Sequence, residues 1–385
     1  MLNEFQKYTA SPEFQELLHR YEKAREEDTP CFLEIDDIID IAEYYHSIDA
    51  FDDAEAAADY CQKLYPDDDS AVLFKARMAL IDYGDYKKAE ELYDALPEKN
   101  DSIELAYVYG EILVCKNRVE EAEKYLREKY EKELRRYDEY QTRRSDSVDS
   151  YDDEEEEDEY EDLRDSLDHF PLDIAMMYCD HGLPDYAERW LDLASEEVDG
   201  MEFEYWETWG RIYHMQERFK EAIVAWNKAL DIDAYSFSVW IHLCDAQYQE
   251  GLIDDAIQSA EFAQAISVDD PQPNMFLGAL HLENNDPKRG VEEFFKTIEK
   301  SGYDVAVMIR VGIAFYELGY LQAARNMMEM IKKPFEDMDM LSECPPIVQE
   351  IIDKTLYERR KTKDEKQDPS TGSGQDENDT SSLNF

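Results

Sequence analysis

Metal and nucleophile chemistry needs His, Cys or acidic side chains gathered on one face at short spacing, and this sequence does not gather them. Its seven histidines, His19, His46, His169, His181, His214, His242 and His281, contain no i, i+4 pair that a helix would aim at one metal ion. Its six cysteines, Cys31, Cys61, Cys115, Cys179, Cys244 and Cys344, contain no CxxC pair. No GxxxxGK[ST], HExxH or GxSxG occurs, nor a GxGxxG placed between a strand and a helix. With 94 Asp and Glu residues, paired carboxylates are everywhere, and none stands out as a general acid and base. No catalytic residue, metal or cofactor is expected, and the chain reads as a non-enzyme.

What the sequence does place regularly is size. Small residues recur in steps of 34 at Gly210, Cys244, Gly278 and Gly312, and in parallel at Ala222, Ala256, Gly290 and Ala324. In the clearest copy, Trp206, Trp209, Gly210 and Tyr213 fall at i, i+3, i+4 and i+7, one face of a first helix, and Phe219, Ala222, Trp226 and Ala229 make the face of a second. Two antiparallel helices approach closely only where no bulky side chain separates them, so Gly210 and Ala222 mark the crossing. This pattern resembles the tetratricopeptide repeat (TPR). The resemblance implies an all-α, right-handed superhelical solenoid of helix-turn-helix repeats.

Carried outward, the register gives about eight units, whose twentieth positions are Ala54, Ala89, Ala122, Ala187, Ala222, Ala256, Gly290 and Ala324. The expected organisation is an N-terminal capping region over 1–34, three repeats over 35–136, an acidic insertion over 137–167, five repeats over 168–338, a C-terminal capping helix over 345–364 and a disordered tail over 365–385. Ser11-Pro12 is expected to start the first capping helix and Pro345-Pro346 the last, because a solenoid exposes an apolar face at each end. The insertion contains an unbroken acidic run, Asp152 to Glu159, expected as a disordered loop because it repels itself and buries nothing apolar. The basic stretch before it, with Lys132, Arg135, Arg136, Arg143 and Arg144, reads either as a local counter-charge or as a binding element.

A net charge of −54 argues against nucleic acid as a partner and favours a basic one, with solubility as the alternative explanation. No stretch reaches the roughly 18 apolar residues of a membrane span. The opening MLNEFQKYTA lacks the pattern of a secretory signal, so a cytoplasmic location is expected. The cysteines are accordingly read as buried thiols, with three disulfides as the alternative. Oligomeric state is not legible.

The TPR resemblance implies that ligand-facing residues come from the second, fifth, ninth and twelfth positions of each first helix. Transferred here, that singles out Glu207, Arg211, Tyr248, Met275, Leu282, Ile309, Ile313 and Tyr316 as a groove that passes from charged to apolar. The alternative for Met275, Leu282, Ile309 and Ile313 is packing under the C-terminal cap. The clamp by which one TPR subclass holds a chaperone's terminal carboxylate is absent: Arg310 sits at its Arg position, but Ala306 occupies the Lys position. The internal Glu196-Glu197-Val198-Asp199 resembles such a tail by letters only. The expected function is a scaffold that binds a partner peptide or protein in the concave groove. The rival is an acidic holding chaperone or decoy for a basic protein, acting through the insertion.

Overall fold

A computed structural model describes residues 8–367 except 28, 30, 67, 97–102, 147–153, 195–201 and 338–344. Among the described residues every regular element is an α-helix. In chain order these are α1 (Pro12–Glu26), α2 (Ile35–Ser47), α3 (Phe51–Leu64), α4 (Ser70–Ile81), α5 (Tyr86–Asp94), α6 (Ile103–Cys115), α7 (Val119–Asp146), α8 (Glu154–Asp180), α9 (Pro184–Leu191) and α10 (Glu202–Met215). They continue as α11 (Phe219–Ile232), α12 (Phe237–Gln249), α13 (Ile253–Ile266), α14 (Gln272–Glu283), α15 (Pro287–Lys300), α16 (Val305–Glu317), α17 (Leu321–Asp337) and α18 (Pro346–Gln367). No helix among the described residues is long and apolar enough to cross a membrane.

The 34-residue register fixes both packing and turns. At the twentieth positions Ala54, Ala89, Ala122, Ala187, Ala222, Ala256 and Ala324 are all buried to 0 % exposure. A Cβ added to Gly290 would come within 2.7 Å of Leu282 Cδ2, and one added to Gly278 within 2.5 Å of Phe294 Cδ1. Five residues before each twentieth position the backbone turns left-handed, at Asp49, Gly84, Asn117, Gly182, Glu217, Gly251, Asn285 and Gly319, with φ between 57° and 83°. The next amide reaches back to the helix it leaves, as Arg118 N–H does to Leu113 O (2.9 Å) and Leu252 N–H to Gln247 O (2.8 Å). Such a Schellman-type turn satisfies end carbonyls and favours Gly or Asn, which hold six of these eight sites.

The chain divides into two compact units, 1–216 and 217–385. In each, a helix packs on its hairpin partner and first helices also touch the next first helix: α2, α4, α6, α8 and α10 in sequence in the first unit, α12, α14 and α16 in the second. A helix packs on the core at each end of the described chain. Ser11 accepts a hydrogen bond from Phe14 N–H at the start of α1, whose Phe14, Leu18 and Tyr21 enter the core of α2 and α3. At the other end Val348, Ile351 and Ile352 of α18 enter the core built by Met327, Met328 and Ile331 of α17. Helix α18 runs to Gln367, three residues past the expected boundary, and 368–385 lie outside the described residues.

The insertion corrects one expectation. From Glu154 the acidic run is helical, the start of α8, not a loop; Asp152 and Asp153 lie outside the described residues. The inserted residues lengthen α7 and α8 into a helical hairpin. Tyr137 and Tyr160 stack at 5.1 Å between ring centroids, Tyr160 O–H donates to Tyr137 Oη at 2.9 Å, and Tyr130 stacks on Phe170. Two causes outweigh the self-repulsion. Leu163, Leu167 and Phe170 are buried at helical spacing, and acidic residues in first turns sit at the positive end of the helix dipole. Pro171 lies inside α8, where the inserted arm gives way to the repeat helix. The base of α7 is tied to α9 by Glu123, which accepts from Trp190 Nε1–H at 2.6 Å and pairs with Arg127 at 2.8 Å.

Candidate partner-binding faces

In the first unit the first helices bring ionisable groups together under partial burial. Arg77 of α4 lies between two open cavities. One, of about 260 Å3, is lined from α2 and α4 by Glu43, His46, Phe74 and Asp82, with His46 Nε2 2.9 Å from Asp82. The other, of about 450 Å3, draws on three successive first helices: Arg77 and Ile81 of α4, Ile103 and Tyr107 of α6, and His169, Phe170, Asp173, Met176 and Asp180 of α8. Burial pushes the Asp173 carboxyl up to about 6 against the opposing pull of His169 and Arg77. It also pushes Glu43 up, again opposed by Arg77.

The same face continues on α8 and α10. Burial pushes Glu207 up to about 7; Arg211 opposes this and Asp180 reinforces it. Arg211 donates a hydrogen bond to Asp180. His181, at the end of α8, has Nε2 4.0 Å from Cys115 Sγ and 3.3 Å from Glu111 Oε1, and these contacts hold its imidazolium up to about 10. Glu111 Oε2 is buried without a hydrogen bond. No group of three His, Cys, Asp or Glu side chains among the described residues is arranged to hold a metal ion. The cysteine expectation holds for Cys61, Cys179 and Cys244, which are free and buried; Cys31 and Cys115 are free but only half-buried, at a loop and a helix end, and Cys344 lies outside the described residues.

The second unit presents a different face. Tyr248 of α12 is half-buried, its hydroxyl pushed up by burial and by a hydrogen bond to Glu283 of α14. Met275, Ile309, Ile313 and Tyr316 are half-buried against the core cluster that also takes in Val348 and Ile351 of α18. Leu282 is 2 % exposed and belongs to that core, packed against Gly290. Among the eight residues singled out by sequence, the structure thus places Glu207 and Arg211 together in the first unit and gathers Met275, Leu282, Ile309, Ile313 and Tyr316 around one cluster in the second. Glu196-Glu197-Val198-Asp199 lies outside the described residues.

No family model matches the sequence, and no curated protein sequence does. Solved structures do resemble the fold. Human IFIT1, as a dimer with m7Gppp-AAAA, is 10 % identical, with 89 % of this chain and 76 % of that one covered at a TM-score of 0.52. A tetratricopeptide repeat protein from Parabacteroides merdae is 12 % identical, with 73 % and 98 % covered at a TM-score of 0.41. The fold is a TPR-like helical solenoid.

The TPR register extends to the first unit. The second, fifth, ninth and twelfth positions of the first helices include Tyr107 and Glu111 when counted from Ala122, and His169 and Met176 when counted from Ala187. Three of these line the 450 Å3 cavity. Arg77 and Asp173 escape the rule. The second repeat, in the first unit, has one extra residue in its turn between Ile81 and Tyr86, so Ala76, 1 % exposed, meets the crossing and Arg77 is exposed.

Proposed function

We propose that this TPR chain is a non-enzymatic scaffold whose first-helix faces take a segment of a partner protein. The observation that carries this reading is the 450 Å3 cavity, to which three successive first helices contribute. A segment lying across several repeats meets side chains from each, and a cavity of this size falls within the usual range for ligand sites. On the second unit taken by itself, Tyr248, Met275, Ile309, Ile313 and Tyr316 offer adaptable apolar contacts, with Leu282 behind them; on the first unit taken by itself, Glu207 and Arg211 offer charge. The partner is a protein, because a chain of net charge −54 repels a phosphate backbone.

A peptide library displayed on a surface and probed with the purified chain tests this. Ile309→Ser combined with Tyr316→Ser is expected to weaken peptide capture about tenfold, or about 1.4 kcal/mol, with little change in melting temperature. A large drop in melting temperature assigns the two residues to packing beneath α18 instead. The reading favoured by net charge alone, acidic residues of the α7–α8 hairpin holding a basic protein, predicts capture that is lost at high salt, whereas apolar capture persists.

A further inference from the structure

We infer that the cavity between α4, α6 and α8 takes a basic side chain of the bound segment, Lys or Arg, with its cationic head on Asp173 and its aliphatic stem against Ile81, Tyr107 and Met176. This rests on the scaffold reading and adds the chemistry of its ligand. Asp173 lines the cavity and, among the described residues, makes no hydrogen bond or ion pair. Its neighbour Asp180 is already engaged by Arg211. Asp173 is half-buried, so its carboxylate is partly withdrawn from water without a partner, and an incoming ammonium or guanidinium is the group that offsets that loss. The walls suit the rest of such a side chain: Ile81, 58 % exposed, and half-buried Met176 offer apolar surface to the stem, and the half-buried Tyr107 ring can take a cation at its face. Arg77, also without an ion pair among the described residues, stands on the rim and opposes a second cation. It therefore selects register, favouring a carbonyl or an acidic side chain next to the basic one.

The test is ligand-observed NMR on the full chain with N-acetyl-arginine methylamide, and with the norleucine and glutamate analogues as comparisons. The arginine probe is expected to saturate while the other two do not. Asp173→Asn should weaken it about fivefold or more, and Asp254→Asn, an equal change of net charge at an exposed site on α13, should leave it within about twofold. Arg77→Gln should tighten it by removing the opposing charge. Binding should also strengthen from pH 5 to 7.5 as Asp173 ionises near 6. Arg77, Tyr107, His169 and Asp180 face the same cavity, and His169→Gln is the variant that must retain this rise. Equal loss in Asp173→Asn and Asp254→Asn, preference for the glutamate probe, or no arginine binding by the folded chain overturns the inference. If library peptides bind while the arginine probe does not, this inference fails alone; if neither binds, the scaffold reading fails with it.

Discussion

The two compact units use one repeat to make opposite faces. Among the described residues, the carboxyls that burial pushes upward, Asp40, Glu43, Asp173 and Glu207, all belong to the first unit. There the first helices leave cavities bordered by charge. Tight crossings occur in both units, at Gly110 in the first and at Gly278, Gly290 and Gly312 in the second, where no Cβ fits without displacement; what differs is that Met275, Ile309 and Ile313 of the second rest on a core closed by α18. The repeat therefore dictates where helices cross, while residues beside the crossing decide whether a face is filled or left open. A filled face adds stability. An open face with under-compensated charge spends stability and keeps ligand-binding potential.

The largest effect should come from overfilling a crossing of the second unit. Gly278→Leu drives a side chain into Phe294 and is expected to cost about 3 kcal/mol, read as a lowered denaturant midpoint for the transition of the second unit with that of the first unchanged. An equal loss in both would remove the contrast between them.

A smaller effect, of opposite sense, belongs to the charged face. Asp173 rises from 3.8 to about 6 and Glu207 from 4.5 to about 7 on folding. Between those values the folded unit binds more protons than the unfolded chain, so its stability is greatest at the acid end of this window and falls as pH rises through 6 to 7. His181, raised to about 10, continues the fall above pH 6.5. Asp173→Asn with Glu207→Gln should flatten the first segment and raise stability at pH 8, on the order of 1 kcal/mol for each site after allowance for solvent screening. Thermal melts of the first unit at pH 5 and pH 8, with and without the substitutions, check this.

The smallest effect lies at the hairpin. Tyr160→Ala removes stacking on Tyr137 and should cost about 1 kcal/mol or less, loosening the ends of α7 and α8 without altering the repeats. Amide hydrogen exchange that quickens only near residues 133–141 and 160–166 is the expected result. Exchange that quickens throughout α4 and α6 as well would make the hairpin part of the core of the first unit.

Much of the fold was legible because the features that fix it are local and periodic. Ala122 and Ala256 are small where crossings demand it, and Ser11 and Pro346 start helices where a solenoid needs ends. The left-handed turn residues were open to the same reading, since Gly84, Asn117, Gly251 and Gly319 keep step with the alanines. The helical acidic run was not, because composition weighs Glu154 to Glu159 against one another and not against Leu163, Leu167 and Phe170 that anchor the helix they begin. Asn274 shows a second limit. It stands two 34-residue steps after Trp206, where that copy has an aromatic residue, yet is fully buried, donating to Glu293 and accepting from Lys300, a compensation drawn from another helix that no local window contains. The charged cavity is illegible for the same reason: Tyr107 keeps the repeat register, but Arg77 and Asp173 come from two other helices and fall outside it.

The contrast between the faces is tested most directly by following side-chain carboxyl carbons by NMR as a function of pH in the intact chain, with Asp173→Asn and Glu207→Gln used for assignment. Midpoints near 6 for Asp173 and near 7 for Glu207 are the expected result. Midpoints near 4 for both would mean that these carboxylates are already solvated or paired, and would contradict the account of the first unit as an open, under-compensated face.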